Sequence, residues 1–257
     1  MATLQIDGCD FYYEVHGNGY PLVLAHGVGG NHASWFNQVP VFAKSYKVVL
    51  FDHRGFGNSR DRADGPGRAR FVPDLLALFD HLGLKQAALV AQSMGGGTCS
   101  HFTWKYPQRV KALVLADTLV GLKLPGPIQD RMRVVNRAVD NLSQFERVLG
   151  ESFRKREPAG ISLYAAIASF NLVNRNTLTG TLGEGPSPEQ LGATGVPILF
   201  LVGQEDILFP PAIVSDVHAL VKGSQYVEVP GAGHSAYFEA PHPFNEAVLK
   251  FLADAGV

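Results

Sequence analysis

Ser93, Asp206 and His234 are the side chains of this 257-residue chain whose types and settings suit nucleophilic catalysis. A serine hydroxyl is a weak nucleophile at neutral pH and needs a neighbouring base to take its proton. Histidine, with an unperturbed pKa of about 6.5, suits that task. A carboxylate on the far ring nitrogen fixes the tautomer and steadies the imidazolium that forms. Each of the three follows a run of β-type residues: 86–91 before A-Q-S-M-G-G, 196–202 before G-Q-E-D, and 225–229 before G-A-G-H. Ala91 and Gly95, two positions either side of Ser93, are small enough for a strained strand-to-helix turn that holds a hydroxyl proud of a sheet. This pattern assigns Ser93 as nucleophile, His234 as general base and then acid, and Asp206 as the orienting acid. Asp117, after K-A-L-V-L-A, is a second strand-end carboxylate and stays open as an alternative acid. Glu205 is expected to face solvent, because adjacent side chains diverge.

The order serine, acid, histidine, together with these three motifs, resembles the α/β-hydrolase family over nearly the whole chain. Two further stretches carry the likeness: H-G-V-G-G at 26–30 and D-H-R-G-F-G-N-S at 52–59. The first resembles the family's oxyanion loop, which implies that the backbone amides of Val28 and Met94 face the oxygen where negative charge develops. The second is similar to a loop that shapes the floor near the nucleophile. Ala91 departs from the family's usual glycine and is still small. His26 reads as a structural hydrogen-bonding residue, and Cys99 and His101 as buried packing. A serine at the turn separates the chain from branches that carry aspartate there. The likeness implies a hydrolase of small to medium, largely apolar esters, with carbon–carbon bond hydrolysis or enol-lactone opening as alternatives on the same triad. A ligand receptor on the same fold is the reading from another class. Neither a metal nor a cofactor is implied, and the expected partner is a small-molecule substrate.

The elements that must position these groups read as β-α-β alternation. Residues 3–15 form two short strands around I-D-G-C-D, a hairpin at a sheet edge. Near-continuous apolar runs at 22–25, 47–51, 86–91, 111–116, 196–202 and 225–229 fit parallel strands covered on both faces. Helices are expected at 34–44, 71–82, 94–106, 212–221 and 243–253, the second stopped by Gly83 and the third by Pro107. The glycines at 95–97 cost roughly 0.8–1.0 kcal/mol each against alanine inside a helix, so that helix must approach the sheet closely. The expected fold is α/β: a doubly wound, mostly parallel eight-stranded sheet with helices on both faces.

Residues 119–195 break the rhythm and are expected as a helical cap insertion between core segments 1–118 and 196–257. Ile128, Met132, Val135, Val139 and Leu142 share one helical face, Ser143 and Glu146 form a capping box, and a segment around 161–170 is apolar almost all round. A largely apolar pocket is expected to draw on Leu122, Leu124, Leu163, Tyr164, Ile167 and Phe170. Arg131, Arg133 and Arg137 lie off the apolar face and are expected in solvent.

A formal net charge of −1 with 18% charged residues offers no basic stripe for nucleic acid and no polybasic patch for a membrane surface. No apolar run approaches the roughly 18 residues of a membrane helix, and the N-terminus lacks the pattern of a signal peptide. Two cysteines without metal-type spacing do not suggest a disulfide scaffold. These features are those expected of a soluble, cytoplasmic protein.

Overall fold

The computed structural model describes residues 2–257. Its eight strands are β1 (Ala2–Ile6), β2 (Cys9–His16), β3 (Tyr20–Ala25), β4 (Tyr46–Phe51), β5 (Ala87–Gln92), β6 (Val110–Ala116), β7 (Ile198–Gly203) and β8 (Gln225–Val229). They form one sheet in the order β1-β2-β4-β3-β5-β6-β7-β8. β1 and β2 make the antiparallel edge hairpin and β2 pairs antiparallel with β4, whereas all pairs from β4 through β3 to β8 are parallel. The chain order reverses beside β3, so the carboxyl ends of β3 and β5 border the crevice where open α/β sheets place ligands.

Successive strand residues enter two separate cores, as parallel strands covered on both faces must. Val23, Leu89, Leu113 and Phe200 join one cluster, while Leu24, Val90, Val114 and Leu201 join the other. The first core is covered by α2 (Phe71–His81), α3 (Met94–Lys105) and α9 (Pro211–Leu220), and the second by α1 (Val39–Phe42) and α11 (Pro241–Asp254). The sheet is therefore doubly wound. The short α10 (Ala236–Glu239) lies between β8 and α11.

One expected helix splits. The segment 34–44 forms a 3₁₀ turn at His32–Trp35 and then α1. Asn31 caps the turn early by accepting from the Ala33 amide at 3.0 Å. Pro40 has no N–H to continue a helix through this point. Five helices stand between β6 and β7: α4 (Gly126–Val139), α5 (Gln144–Val148), α6 (Glu151–Arg156), α7 (Pro158–Ala168) and α8 (Pro188–Gly192). The capping box at Ser143 and Glu146 opens α5, and a second one at Ser187 and Gln190 opens α8. α7 is buried on one face only: Tyr164 and Ile167 are covered, while Leu163 is 44% exposed. No described helix is long and apolar enough to cross a membrane.

Candidate active site

The turn between β5 and α3 holds Ser93 at φ 49° and ψ −117°, a conformation that costs a non-glycine residue roughly 1–3 kcal/mol. The Ser93 amide donates to the Ala116 carbonyl of β6 at 3.1 Å, and the Thr118 hydroxyl donates to the Ser93 carbonyl at 2.7 Å. Gly95 is needed on steric grounds: a Cβ there would lie 2.4 Å from the Ala25 carbonyl oxygen. This is the close approach of α3 to the sheet that the glycine run implies.

Three strand ends bring the predicted trio together. His234 Nε2 lies 2.9 Å from Ser93 Oγ, and its Nδ1 lies 3.0 Å from Asp206 Oδ2. The other Asp206 oxygen accepts from the amides of Leu208 and Phe209 at 2.7 and 3.0 Å, which fixes the carboxylate. The Phe209 ring stacks on the imidazole with centroids 5.7 Å apart. Gln92 donates from Nε2 to the His234 carbonyl at 2.7 Å, tying the histidine loop to the strand that carries Ser93.

Asp117 is buried nearby at φ 51°, and the ring nitrogens of His234 pair with Asp206 and Ser93 instead. Its two oxygens accept from the amides of Gly203 and Ala236 at 2.8 and 3.1 Å, so it braces the end of β7 against the start of α10. Burial, then the charge of Asp206, holds the Asp117 carboxyl well above the usual carboxylate range. Glu239 is a second buried carboxylate. It accepts from the amides of Gly150, Gly233 and Ser235 at 2.8, 2.9 and 3.0 Å, and burial pushes its pKa up to about 7.

Val28 lines the cavity above Ser93, and Met94 is the first residue of α3. Among the described residues neither amide donates a hydrogen bond to the protein. The loop carrying Val28 approaches closely because Gly27 lacks a side chain: a Cβ there would lie 2.1 Å from Gln92 Oε1. His26 is buried, with Nδ1 2.8 Å from the Gly27 carbonyl and Nε2 accepting from the His53 amide at 3.0 Å. Burial lowers the pKa values of both imidazoles, which fits a neutral structural pair. The 52–59 loop that carries His53 places Arg54, fully buried, in an ion pair with Asp74, with Nη2 to Oδ1 at 2.8 Å.

The cavity over Ser93 and His234 has a volume of about 170 Å³. Its apolar lining comes from Val28, Val120, Val148, Tyr164, Leu208 and Phe209. Of the six residues expected from the sequence, Tyr164 alone is among the lining residues. Leu122 and Leu124 pack against the first core, Ile167 is buried in the second, and Leu163 and Phe170 are 44% and 63% exposed. The lining also includes Asn136, Gln144, Arg147 and Arg175, none of which the sequence singled out. Periodicity in the long α4 sorted Arg131 and Arg133, which pair with Asp216 and Asp130, and Arg137. The five-residue α5 is too short to carry a facial signal for Arg147.

A family model described as alpha/beta hydrolase fold matches residues 20–241. Among solved structures, a thermophilic esterase from Thermogutta terrifontis, with malate bound, is 28% identical, with a TM-score of 0.79 over 100% of this chain and 98% of that one. A bromoperoxidase from Bacillus anthracis is 26% identical, with a TM-score of 0.78 over 95% and 96%. A hydrolase from Pseudomonas aeruginosa is 25% identical, with a TM-score of 0.74 over 98% and 97%.

Proposed function

The chain belongs to the α/β-hydrolase fold family, and from that premise we propose that it is a serine hydrolase cleaving a small to medium ester through an acyl-enzyme. The observation that carries this reading is the continuous path from Ser93 Oγ through the His234 imidazole to Asp206, at 2.9 and 3.0 Å. His234 takes the hydroxyl proton as Ser93 attacks the ester carbonyl, and Asp206 stabilises the imidazolium. The amides of Val28 and Met94 meet the developing oxyanion. The alcohol leaves with the proton held by His234. Water, deprotonated by the same imidazole, then attacks the acyl-enzyme and releases the acid and free Ser93. Residues 119–195 act in this reading as a cap, since α5 and α7 supply Val148 and Tyr164 to the cavity wall. The esterase from Thermogutta terrifontis supports the ester class through its fold and sequence likeness.

Turnover of p-nitrophenyl butyrate by the wild type and by Ser93→Ala tests the reading. The expected result is multiple turnovers by the wild type and a loss of about 10³-fold or more in kcat for the variant, as removal of a triad member causes. Equal rates in the two proteins, or no turnover by either, would falsify ester hydrolysis through Ser93.

A further inference from the structure

The part of the cavity wall farthest from an apolar character is cationic. Arg147 on α5 and Arg175 on the turn at 174–177 both line the space that Ser93 and His234 open into, and no aspartate or glutamate shares that lining. Both guanidiniums are anchored through backbone carbonyls. Arg147 Nη1 donates to the Val139 carbonyl at 3.1 Å, and Arg175 Nη2 donates to the Asp140 carbonyl at 3.3 Å. The turn beneath Arg175 is itself fixed, with the amides of Thr177 and Leu178 donating to the Asn174 carbonyl and Leu178 buried.

Neutralisation is incomplete. Among the described residues Asp140 is the one carboxylate paired with either guanidinium, 3.5 Å from Arg175 and 73% exposed. Among the described residues Arg147 has no carboxylate partner and uses one of its five N–H donors. The nearby Glu146 is turned away to the Ser143 amide, at 2.9 Å. Arg147 is half-buried, and burial together with the adjacent Arg175 charge lowers its pKa. Two like charges held together in this way are unfavourable in the free protein and become favourable when an anion lies between them. Beyond Arg175 the space continues into a groove of about 430 Å³ that shares Val28, Gly29, Gln144 and Arg175 with the cavity. The groove gives room beside Arg175 for a group longer than a short acyl chain.

We propose that Arg147 and Arg175 form a carboxylate-binding subsite, so that the substrate is an ester or lactone bearing a free carboxylate at the end away from the scissile bond. Guanidinium forks match a carboxylate in geometry and charge, and the amides of Asn136 and Gln144 add neutral donors in the same wall. The proposal deepens the serine-hydrolase reading and rests on it for the position of the reacting carbonyl.

Two ester pairs test it: mono-p-nitrophenyl adipate against p-nitrophenyl heptanoate, with the carboxylate on the acyl side, and 4-(butyryloxy)benzoate against 4-acetylphenyl butyrate, with it on the alcohol side. In at least one pair the carboxylate ester should have the higher kcat/KM. Its advantage should fall about 10-fold to 100-fold in Arg147→Gln and in Arg175→Gln, mainly through KM, as expected for a lost charged hydrogen bond. The advantage should also shrink with added salt. Preference for the neutral ester in both pairs, or an unchanged ratio in both variants, overturns the proposal. Arg175 is exposed, so Arg175→Gln keeps the test open if Arg147→Gln does not fold. Calorimetric binding of the same four esters to Ser93→Ala separates the two readings. Tighter, arginine-dependent binding of a carboxylate ester supports the subsite even where the wild type hydrolyses none of them, and equal binding within both pairs overturns it.

Discussion

Two buried aspartates stand at neighbouring strand ends, and their contacts divide the work between them. Asp206 gives one oxygen to the imidazole and the other to two amides of its own turn, whereas both oxygens of Asp117 are taken by the amides of Gly203 and Ala236. Asp206→Asn should lower kcat for p-nitrophenyl butyrate about 10⁴-fold, because an amide no longer selects the productive tautomer. Asp117→Asn retains a residue that tolerates positive φ and should lower kcat less than about tenfold while reducing the melting temperature. An equal loss of activity in the two variants would overturn this division of roles between the two aspartates. The trio was legible in the sequence because each member closes an apolar strand among small residues. The two arginines were not legible, since one sits on a single helical turn and the other in a loop, and neither setting has a period that reports direction.

At the scale of elements, Glu239 joins three segments that the sheet does not hold together. It sits in α10 and accepts from the amide of Gly150 at the start of α6, from Gly233 in the histidine loop and from Ser235 at the start of α10. The helical insertion and the segment carrying His234 thus share one buried carboxylate. Burial raises its pKa from 4.5 to about 7, so between those values the folded chain holds a proton that the unfolded chain has released. Stability from this group is complete below pH 4.5 and is lost as pH rises through about 7. The loss is on the order of 3 kcal/mol for a shift of that size. Urea unfolding of the wild type and Glu239→Gln at about pH 5 and about pH 8 should therefore show the wild type losing roughly that much relative to the variant. Parallel pH dependence in the two proteins would rule the linkage out. This tie could not be read from the sequence, where H-S-A-Y-F-E shows an acid after the histidine but not which amides surround it. Helix and strand positions were legible to within a few residues wherever a Gly or Pro stop coincided with the end of an apolar period, as at Gly83 and Pro107. The 34–44 segment was misread because a side-chain cap at Asn31 and the missing amide of Pro40 outweighed its apolar pattern.

At the scale of the whole molecule, the insertion is continuous with the rest. Met132 of α4 packs into the first core, and Val148, Phe153, Tyr164 and Ile167 of α5, α6 and α7 pack into the second. α8 packs against α3 and α9, so part of the inserted segment supports the same helices as the sheet. The ends of the insertion are also joined, with the Lys123 amide donating to the Pro186 carbonyl at 2.9 Å. Removing or melting residues 119–195 would expose apolar surface on both faces at about 25 cal/mol per Å², and would release the Gly150 amide that helps to hold Glu239. Local opening of the insertion alone is therefore costly, and the site should survive until the sheet itself unfolds. Activity towards p-nitrophenyl butyrate and far-UV circular dichroism, followed through the same urea titration, should fall in a single coincident transition. Activity lost at distinctly lower urea, with the dichroism still native, would mean that the insertion opens as a separate unit and that its apolar side chains add little to the two cores.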